Sequence, residues 1–256
     1  MNTDKLVTIL AAAGFFFMSL NAWAYTIDDN YTGASPTGSG WQGADVIGYA
    51  GYFDSDRIEV TYNGSWIYID VYSRYLDNIG QFQTELGDLF LATGGWNPYG
   101  DQPYVNDNYN NTGTNWNYAL VLDNHLPGAG QISGSFELFS FDQGSPVLSW
   151  APAGYIYRDG QLVQFQPDAN AAALAVGLWS INNLGGQDED DHLRFALNYS
   201  FGEIPELAIH WAMSCGNDVV EGSVPAAPVP EPATVLILGS GLLGLGSLRK
   251  RQRKTT

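Results

Sequence analysis

The sequence has 256 residues, enough for one well-buried domain of the larger β type. Residues 25–231 contain 26 Asp and Glu residues, four arginines and no lysine, which gives this part of the chain a formal charge of −22. This balance argues against nucleic-acid binding, which needs a basic stripe to neutralise phosphates. It also excludes P-loop and Schiff-base enzymes, because their essential lysine is missing.

The N-terminus has the pattern of a secretory signal peptide. Lys5 lies in a short polar start, an apolar stretch follows from Val7 to Leu20, and Ala22-Trp23-Ala24 forms a small-x-small cleavage site. The 14 apolar residues are too few to span a bilayer stably. We therefore expect residues 1–24 to be removed by signal peptidase, so that the mature chain begins near Tyr25.

The mature sequence consists of short alternating runs with little helical periodicity, which predicts an all-β fold. The clearest hairpin is RIEVTY-NG-SWIYIDVY, in which Asn63-Gly64 is typical of a two-residue type I′ turn. That turn would pair Ile58 with Ile69 and Val60 with Ile67 on one face.

A second hairpin is predicted around Asp159-Gly160, with Tyr157 opposite Leu162. Six further strands are predicted at 88–92, 117–122, 135–141, 174–181, 193–200 and 207–213. About ten strands joined by short polar turns favour a β-sandwich of jelly-roll or lectin-like kind over a small barrel. We expect this exported β-sandwich domain to occupy residues 25–222.

No catalytic pattern is present, so no catalytic residue is predicted and the protein is expected not to be an enzyme. HExxH, GxSxG and CxxC motifs are absent, and the three histidines lack metal-ligand spacing. Cys215 is the only cysteine, either a buried thiol or a link between chains, and its pairing with His210 as a nucleophile is the weaker interpretation. A carboxylate-dependent glycan hydrolase stays open as an alternative, because sequence does not give the separation of two carboxylates in space.

Clustered aspartates are the candidate metal ligands, and Ca²⁺ is the only cofactor we consider. Asp54 and Asp56 lie in YFDSDRIE, Asp188 and Asp190 lie in GGQDEDDH, and TIDDNY adds a third acidic pair. Carboxylate oxygens are the ligands that Ca²⁺ prefers. None of these segments matches an EF-hand loop, and a solvated acidic loop is the competing interpretation.

A segment of 24 residues, from Gly94 to Asn117, contains no credible strand, and loops of this length are usually functional or disordered. Its aromatic residues Trp96, Tyr99 and Trp116 argue for order. Because Asn and Asp residues adjoin them in the sequence, these aromatic residues are candidate glycan contacts. The alternative is that their rings cover the open end of the fold.

The C-terminal region changes in composition. A proline-rich linker at 223–229 precedes Pro230, Glu231 and Pro232; an uncharged segment of 16 residues follows at 233–248, and then a basic cluster. The cluster comprises Arg249, Lys250, Arg251, Arg253 and Lys254. As a helix the apolar segment is roughly 24 Å long, short of the ~30 Å hydrocarbon core. It is therefore expected to be a single short transmembrane helix and a poor permanent anchor.

The order of Pro-Glu-Pro, short Gly-rich apolar segment and basic cluster at 230–254 resembles the PEP-CTERM sorting signal. The blocks GDLFLATGGWNPYG and HWAMSCGNDVVEG are also similar to segments of some exported PEP-CTERM proteins, without implying an activity. The resemblance implies an exosortase as partner, cleavage near Glu231, and a tethered precursor that faces the periplasm. The expected destination is the cell surface or extracellular matrix, with exopolysaccharide or another surface glycan as the partner there.

Overall fold

The computed structural model describes residues 22–30, 32, 45–109, 113–127, 131–142, 147–148, 160–182, 184 and 190–226. The chain divides into two units, Met1–Val224 and Pro225–Thr256. Almost all of the second unit lies outside the described residues, so the account below concerns the first.

The described chain is almost entirely strands and loops, which confirms the all-β class. A short helix, α1 (Ala50–Phe53), and two 3-10 turns, Arg74–Asn78 and Gln81–Gln83, are the helical elements of the described residues. The strands are β1 (Trp23–Asp28), β2 (Ser55–Asn63), β3 (Trp66–Ser73), β4 (Leu89–Ala92), β5 (Tyr118–Leu122), β6 (Ser133–Ser140), β7 (Val147–Leu148), β8 (Gln164–Phe165), β9 (Ala175–Asn182), β10 (His192–Leu197), β11 (Glu206–Ala212) and β12 (Val219–Pro225).

Ten of these strands form one sheet, in the order β1-β2-β3-β10-β9-β6-β5-β4-β11-β12, and β7 pairs with β8 in a separate ribbon. The predicted sandwich of two packed sheets is therefore corrected to a single antiparallel near-barrel sheet. The long-range pairs β3–β10 and β4–β11 make the sheet continuous. Sequence shows where strands lie but not these pairs, which join segments more than a hundred residues apart.

The main core lies on the inner face of this curved sheet and takes side chains from strands at both ends of the order, from Ile27 in β1 to Val224 in β12. A Cβ atom added to Gly222 would lie only 2.7 Å from the Ile27 side chain, so β1 and β12 approach each other closely. The side chain of Cys215 is buried in the same core.

A second, smaller core lies on the opposite face, where it covers β4, β5, β6 and β11. It contains Phe90, Phe139 and Trp116, with Leu162 and Phe165 packed onto them. The long loop and the segment around β8 therefore cover this part of the outer face. The outer face of β3, β10 and β9 has a different character, because its side chains alternate with the buried ones of the core and, apart from the buried Asp70, are half-buried or exposed.

The hairpin of β2 and β3 exists, but its register differs from the prediction by two residues. Asn63 pairs with Trp66 and Val60 pairs with Ile69, so the two turn residues are Gly64 and Ser65. Gly64 has φ +61°, as such a turn requires. A shift of two residues leaves every side chain on the predicted face, which is why the alternation alone did not reveal it.

Both ends of the described domain extend beyond the predicted bounds. β1 begins at Trp23, so cleavage after Ala24 would leave Tyr25–Asp28 of this strand, opposite residues 57–60. β12 runs through Pro225, three residues into the predicted linker. The tripeptide at 230–232, the apolar segment, the basic cluster and most of the signal peptide lie outside the described residues. In the described part of the chain, no helix has the length and apolar character needed to cross a membrane.

Candidate functional site

Three aspartates from distant parts of the sequence meet where the two ends of the sheet approach. Asp29 directly follows β1, Asp54 lies between α1 and β2, and Asp218 directly precedes β12. One carboxylate oxygen from each residue lies within 4.8 Å of the others. The site thus depends on the closure of the sheet and not on one loop.

Backbone contacts hold these carboxylates in place. Asp218 is fully buried; its Oδ2 accepts a hydrogen bond from the Ser55 N–H at 2.6 Å and its Oδ1 accepts one from the Val219 N–H at 2.9 Å. The N–H of Asp29 donates to the carbonyl oxygen of Asp56 at 3.0 Å. Because the register of β2 against β3 shifts between Ser55 and Arg57, the chain next to the cluster is irregular.

The cluster has a large excess of negative charge. Burial, a side-chain hydrogen bond with Asp45 and the charges of Asp218 and Asp45 together raise the pKa of Asp29 to about 10. The Oδ1 atom of Asp29 is buried without a hydrogen-bond partner. Arg74 lies beside the cluster, with its Nε 3.6 Å from Asp54 Oδ2. A proton or a bound cation would relieve this repulsion, and the donor set is the one that Ca²⁺ prefers.

The predicted metal ligands are only partly brought together. Asp54 belongs to the cluster, and Asp56 borders it through its carbonyl oxygen. Asp190 lies in a separate turn, where its carbonyl oxygen faces His192 Nδ1 at 3.0 Å, and Asp188 lies outside the described residues. Sequence reasoning missed Asp218; its only local signal is a Gly-Asn-Asp turn between two apolar runs.

A second charged cluster is buried beneath the long loop. His210 on β11 places Nδ1 2.8 Å from Glu221 Oε2, while its Nε2 donates to the carbonyl oxygen of Leu162 at 2.8 Å. Burial raises the pKa of Asp107 to about 7, and the charge of Glu221 acts in the same direction. Asp107, His210 and Glu221 are each more than nine-tenths buried. These groups fix the loop to the sheet.

This arrangement also decides the interpretation of His210 and Cys215. Both ring nitrogens of His210 already face oxygen atoms, and Cys215 is buried in the other core. The histidine therefore has no nitrogen left to activate the thiol, and the nucleophile-pair interpretation is discarded.

The three candidate glycan contacts have different environments. Trp116 is 4% exposed and packs on His210, with ring centroids 5.4 Å apart, so it offers no ring face to a ligand. The indole N–H of Trp96 donates to Glu221 Oε1 at 3.0 Å. Tyr99 is 45% exposed, and its backbone N–H donates to Asp107 Oδ1. Of the three, Tyr99 presents the most accessible ring.

Comparison with known proteins identifies the C-terminal region. Residues 228–252 match the family model of the PEP-CTERM protein-sorting motif. The chain carries a PEP-CTERM sorting motif. The match confirms the resemblance drawn from the sequence and covers almost the same residues. No curated protein and no solved structure matches the chain.

The PEP-CTERM motif supports exosortase-dependent sorting to the cell surface. It implies an exported, membrane-anchored precursor that is processed by an exosortase.

Proposed function

We propose that the protein is a non-enzymatic component of the cell surface or extracellular matrix that associates with exopolysaccharide. The PEP-CTERM motif at 228–252 is the observation that carries this proposal, since it directs the chain to the surface. The exported body has a formal charge of −22. Such a surface repels polyanions and favours uncharged polysaccharide or divalent cations as partners.

The burial of the charged clusters supports a structural role over a catalytic one. A glycan hydrolase needs two carboxylates on opposite sides of an open cleft, roughly 5–10 Å apart. Asp107 and Glu221 are too deeply buried for a substrate to reach, and each is engaged with the loop or with His210. Glycan hydrolysis remains the alternative function, and glycan binding without hydrolysis through Tyr99 is the other.

Fractionation of the producing host tests the proposal. The protein is expected in the extracellular matrix fraction, with its C-terminus cleaved near Glu231. Glu231→Ala is expected to remain uncleaved in the membrane fraction, because it removes the charged residue of the motif, whereas Pro225→Ala at the end of β12 is expected to sort normally. Mass analysis of the C-terminus is the readout, and an intact C-terminus on all surface protein would contradict the sorting step.

Co-sedimentation of the processed protein with the host's exopolysaccharide tests the proposed association with that polysaccharide. We expect binding without new reducing ends. Tyr99→Ala should bind several-fold more weakly, while Tyr49→Ala, at 66% exposure outside the loop, should bind as the wild type does. Release of reducing ends would establish the hydrolase alternative, and no co-sedimentation would remove the exopolysaccharide partner.

We further propose that Asp29, Asp54 and Asp218 bind Ca²⁺. The support is geometric: three carboxylate oxygens within 4.8 Å of one another, one of the residues fully buried, and a buried Asp29 oxygen without a hydrogen-bond donor. The ion would join the segment after β1 to the segment before β12. Thermal melts with Ca²⁺ and with a chelator test this role, since a ligand that prefers the native state raises its stability.

A further inference from the structure

Residues 96–107 of the long loop, here called the loop segment, are attached to the sheet through carboxyl groups. Both N–H groups of Trp96 donate to carboxylates, the backbone N–H to Glu206 Oε1 at 3.1 Å and the indole N–H to Glu221 Oε1 at 3.0 Å. At the other end of the segment, a hydrogen bond joins the side chains of Asp107 and Glu221. Glu206 lies on β11 and Glu221 on β12, so acidic side chains of two adjacent strands hold both ends of the segment.

The hydrogen bond between Asp107 and Glu221 requires a proton. Two ionised carboxylates contain only acceptor atoms, so one of the two must be protonated for them to bond each other. His210 accounts for a further proton. The Leu162 carbonyl oxygen can only accept, so Nε2 of His210 carries a hydrogen, and the 2.8 Å contact of Nδ1 with Glu221 Oε2 then needs one more. With both protons present, the three side chains together carry no net charge.

Loss of the proton between Asp107 and Glu221 would leave one uncompensated negative charge inside the protein. Both residues are more than nine-tenths buried, and an unpaired charge in such a place is costly. Gln161, before β8, offers only an uncharged amide, which donates to the carbonyl oxygen of Asp107 at 3.0 Å. Movement of the segment away from the sheet would return Asp107 to water and remove this cost.

The pKa of Asp107 gives the pH range in which this cost appears. Burial raises this pKa from 3.8 to about 7, and the charge of Glu221 and its hydrogen bond act in the same direction. The hydrogen bond from the Tyr99 N–H and the charge of His210 lower it by less. In an open segment the group would have its ordinary value, so each pH unit between 3.8 and about 7 favours opening by up to about tenfold. Above that range the effect is constant.

We propose that the loop segment is a proton-controlled cover, which lies closed on β11 and β12 while Asp107 and Glu221 share a proton and opens locally, with the sheet intact, when that proton is lost. Opening moves Tyr99 away from the sheet and gives water access to His210 and Glu221. The PEP-CTERM motif supports sorting to the cell surface, where the pH of the surroundings acts on the protein. The inference concerns the conformation of the loop and does not depend on the proposed exopolysaccharide partner.

Hydrogen exchange of the exported protein, followed by NMR between pH 4.5 and pH 8, tests this cover. The readouts are the backbone N–H of Tyr99 and both N–H groups of Trp96, each expressed as a protection factor relative to an unstructured group at the same pH. In the wild type these factors should fall at least about tenfold between pH 5 and pH 7 and then level off. At pH 7 they should also be at least about tenfold lower than those of the β3 amides, because local opening leaves the sheet folded.

Asp107→Asn is the variant that should keep the segment closed. Its side-chain amide offers an oxygen to the Tyr99 N–H and an N–H to Glu221, with no proton to lose. Its protection factors should therefore change by less than about twofold between pH 5 and pH 7. Asp101→Asn is the matched control, because it makes the same change at an exposed position of the same loop, and it should show the pH dependence of the wild type. Equal melting temperatures at pH 5 would show that both variants are folded.

Three outcomes would overturn the inference. The first is a wild type in which the Trp96 and Tyr99 protection factors are the same at pH 5 and pH 7. The second is equal protection of these groups and of the β3 amides, which would show that they exchange only through unfolding of the whole domain. The third is a folded Asp107→Asn variant that retains the pH dependence of the wild type. The first two outcomes are measured on the wild type, so they decide the matter even if Asp107→Asn does not fold.

Discussion

Asp107 shows how one residue can couple the long loop to the protonation state of the core. Its carboxylate accepts a hydrogen bond from the Tyr99 N–H at 2.6 Å, and its carbonyl oxygen accepts one from Gln161 Nε2. Glu221 faces it from β12, and His210 faces it from β11. The loop is thus held by polar groups that lie inside the protein, where an added charge is costly.

The pKa of Asp107 predicts a pH dependence of stability. Burial raises this pKa from 3.8 to about 7, so between those two values the folded state holds a proton that the unfolded state has released. Stability contributed by this group is complete below pH 3.8 and is lost as the pH rises through about 7. Asp107→Asn keeps an oxygen for the Tyr99 N–H but has no proton to lose.

We therefore expect the melting temperature of Asp107→Asn to fall less between pH 5 and pH 8 than that of the wild type. Asp101→Asn is the control, because Asp101 is exposed in the same loop. Calorimetry at several pH values gives the comparison. An unchanged pH dependence in Asp107→Asn would show that other buried groups, such as Asp29, cause the effect.

At the scale of elements, the sequence located most strands but not their partners. The strands at 88–92, 117–122 and 207–213 were found within a residue or two, because their β-branched and aromatic runs are unambiguous. β1 was missed because it crosses the predicted cleavage site. β12 was missed because Glu221 and Gly222 interrupt its apolar pattern, and both have roles that depend on distant residues.

The same limit explains the candidate metal site. Sequence grouped aspartates by their separation along the chain, so Asp54 was chosen together with Asp56. The structure instead brings Asp54 together with Asp29 and Asp218 by closing the sheet. Ligands that meet only through such closure leave no spacing pattern in the sequence.

The packing of β4 against β11 predicts a sensitive glycine. A Cβ atom on Gly87, which precedes β4, would overlap the carbonyl oxygen of Ala212 and lie 3.0 Å from that of Val163. Because these are backbone atoms, Gly87→Ala should lower the free energy of unfolding by about 1–3 kcal/mol. Gly94→Ala meets no atom within 4 Å and should change it by less than about 0.5 kcal/mol. Urea unfolding of both variants measures the difference, and equal effects would contradict this packing.

At the scale of the whole molecule, the two edge strands of the sheet are also the two ends of the domain. β1 begins at the end of the predicted signal peptide and crosses its cleavage site, and β12 precedes the PEP-CTERM motif. The contact of Gly222 with Ile27 joins these ends directly, and the hydrogen bond from the Ser55 N–H to Asp218 connects the start of β12 to β2. The proposed ion would lie at the same junction, so its loss should loosen the closure of the whole sheet.

Calcium is therefore expected to raise the melting temperature of the metal-stripped protein. At a free concentration one hundred times the dissociation constant, the gain in stability should be about 2.7 kcal/mol. Asp54→Asn is the informative variant, because Asp54 is only half-buried. Asp218 is a less suitable target, because it is fully buried and also accepts a hydrogen bond from the Ser55 N–H. Asp54→Asn should abolish most of the calcium-dependent shift. Asp190→Asn, which alters an aspartate outside the cluster, should retain the shift. If the wild type melts at the same temperature with calcium and with chelator, calcium does not bind at this junction, and a shared proton is left to relieve the repulsion between the carboxylates.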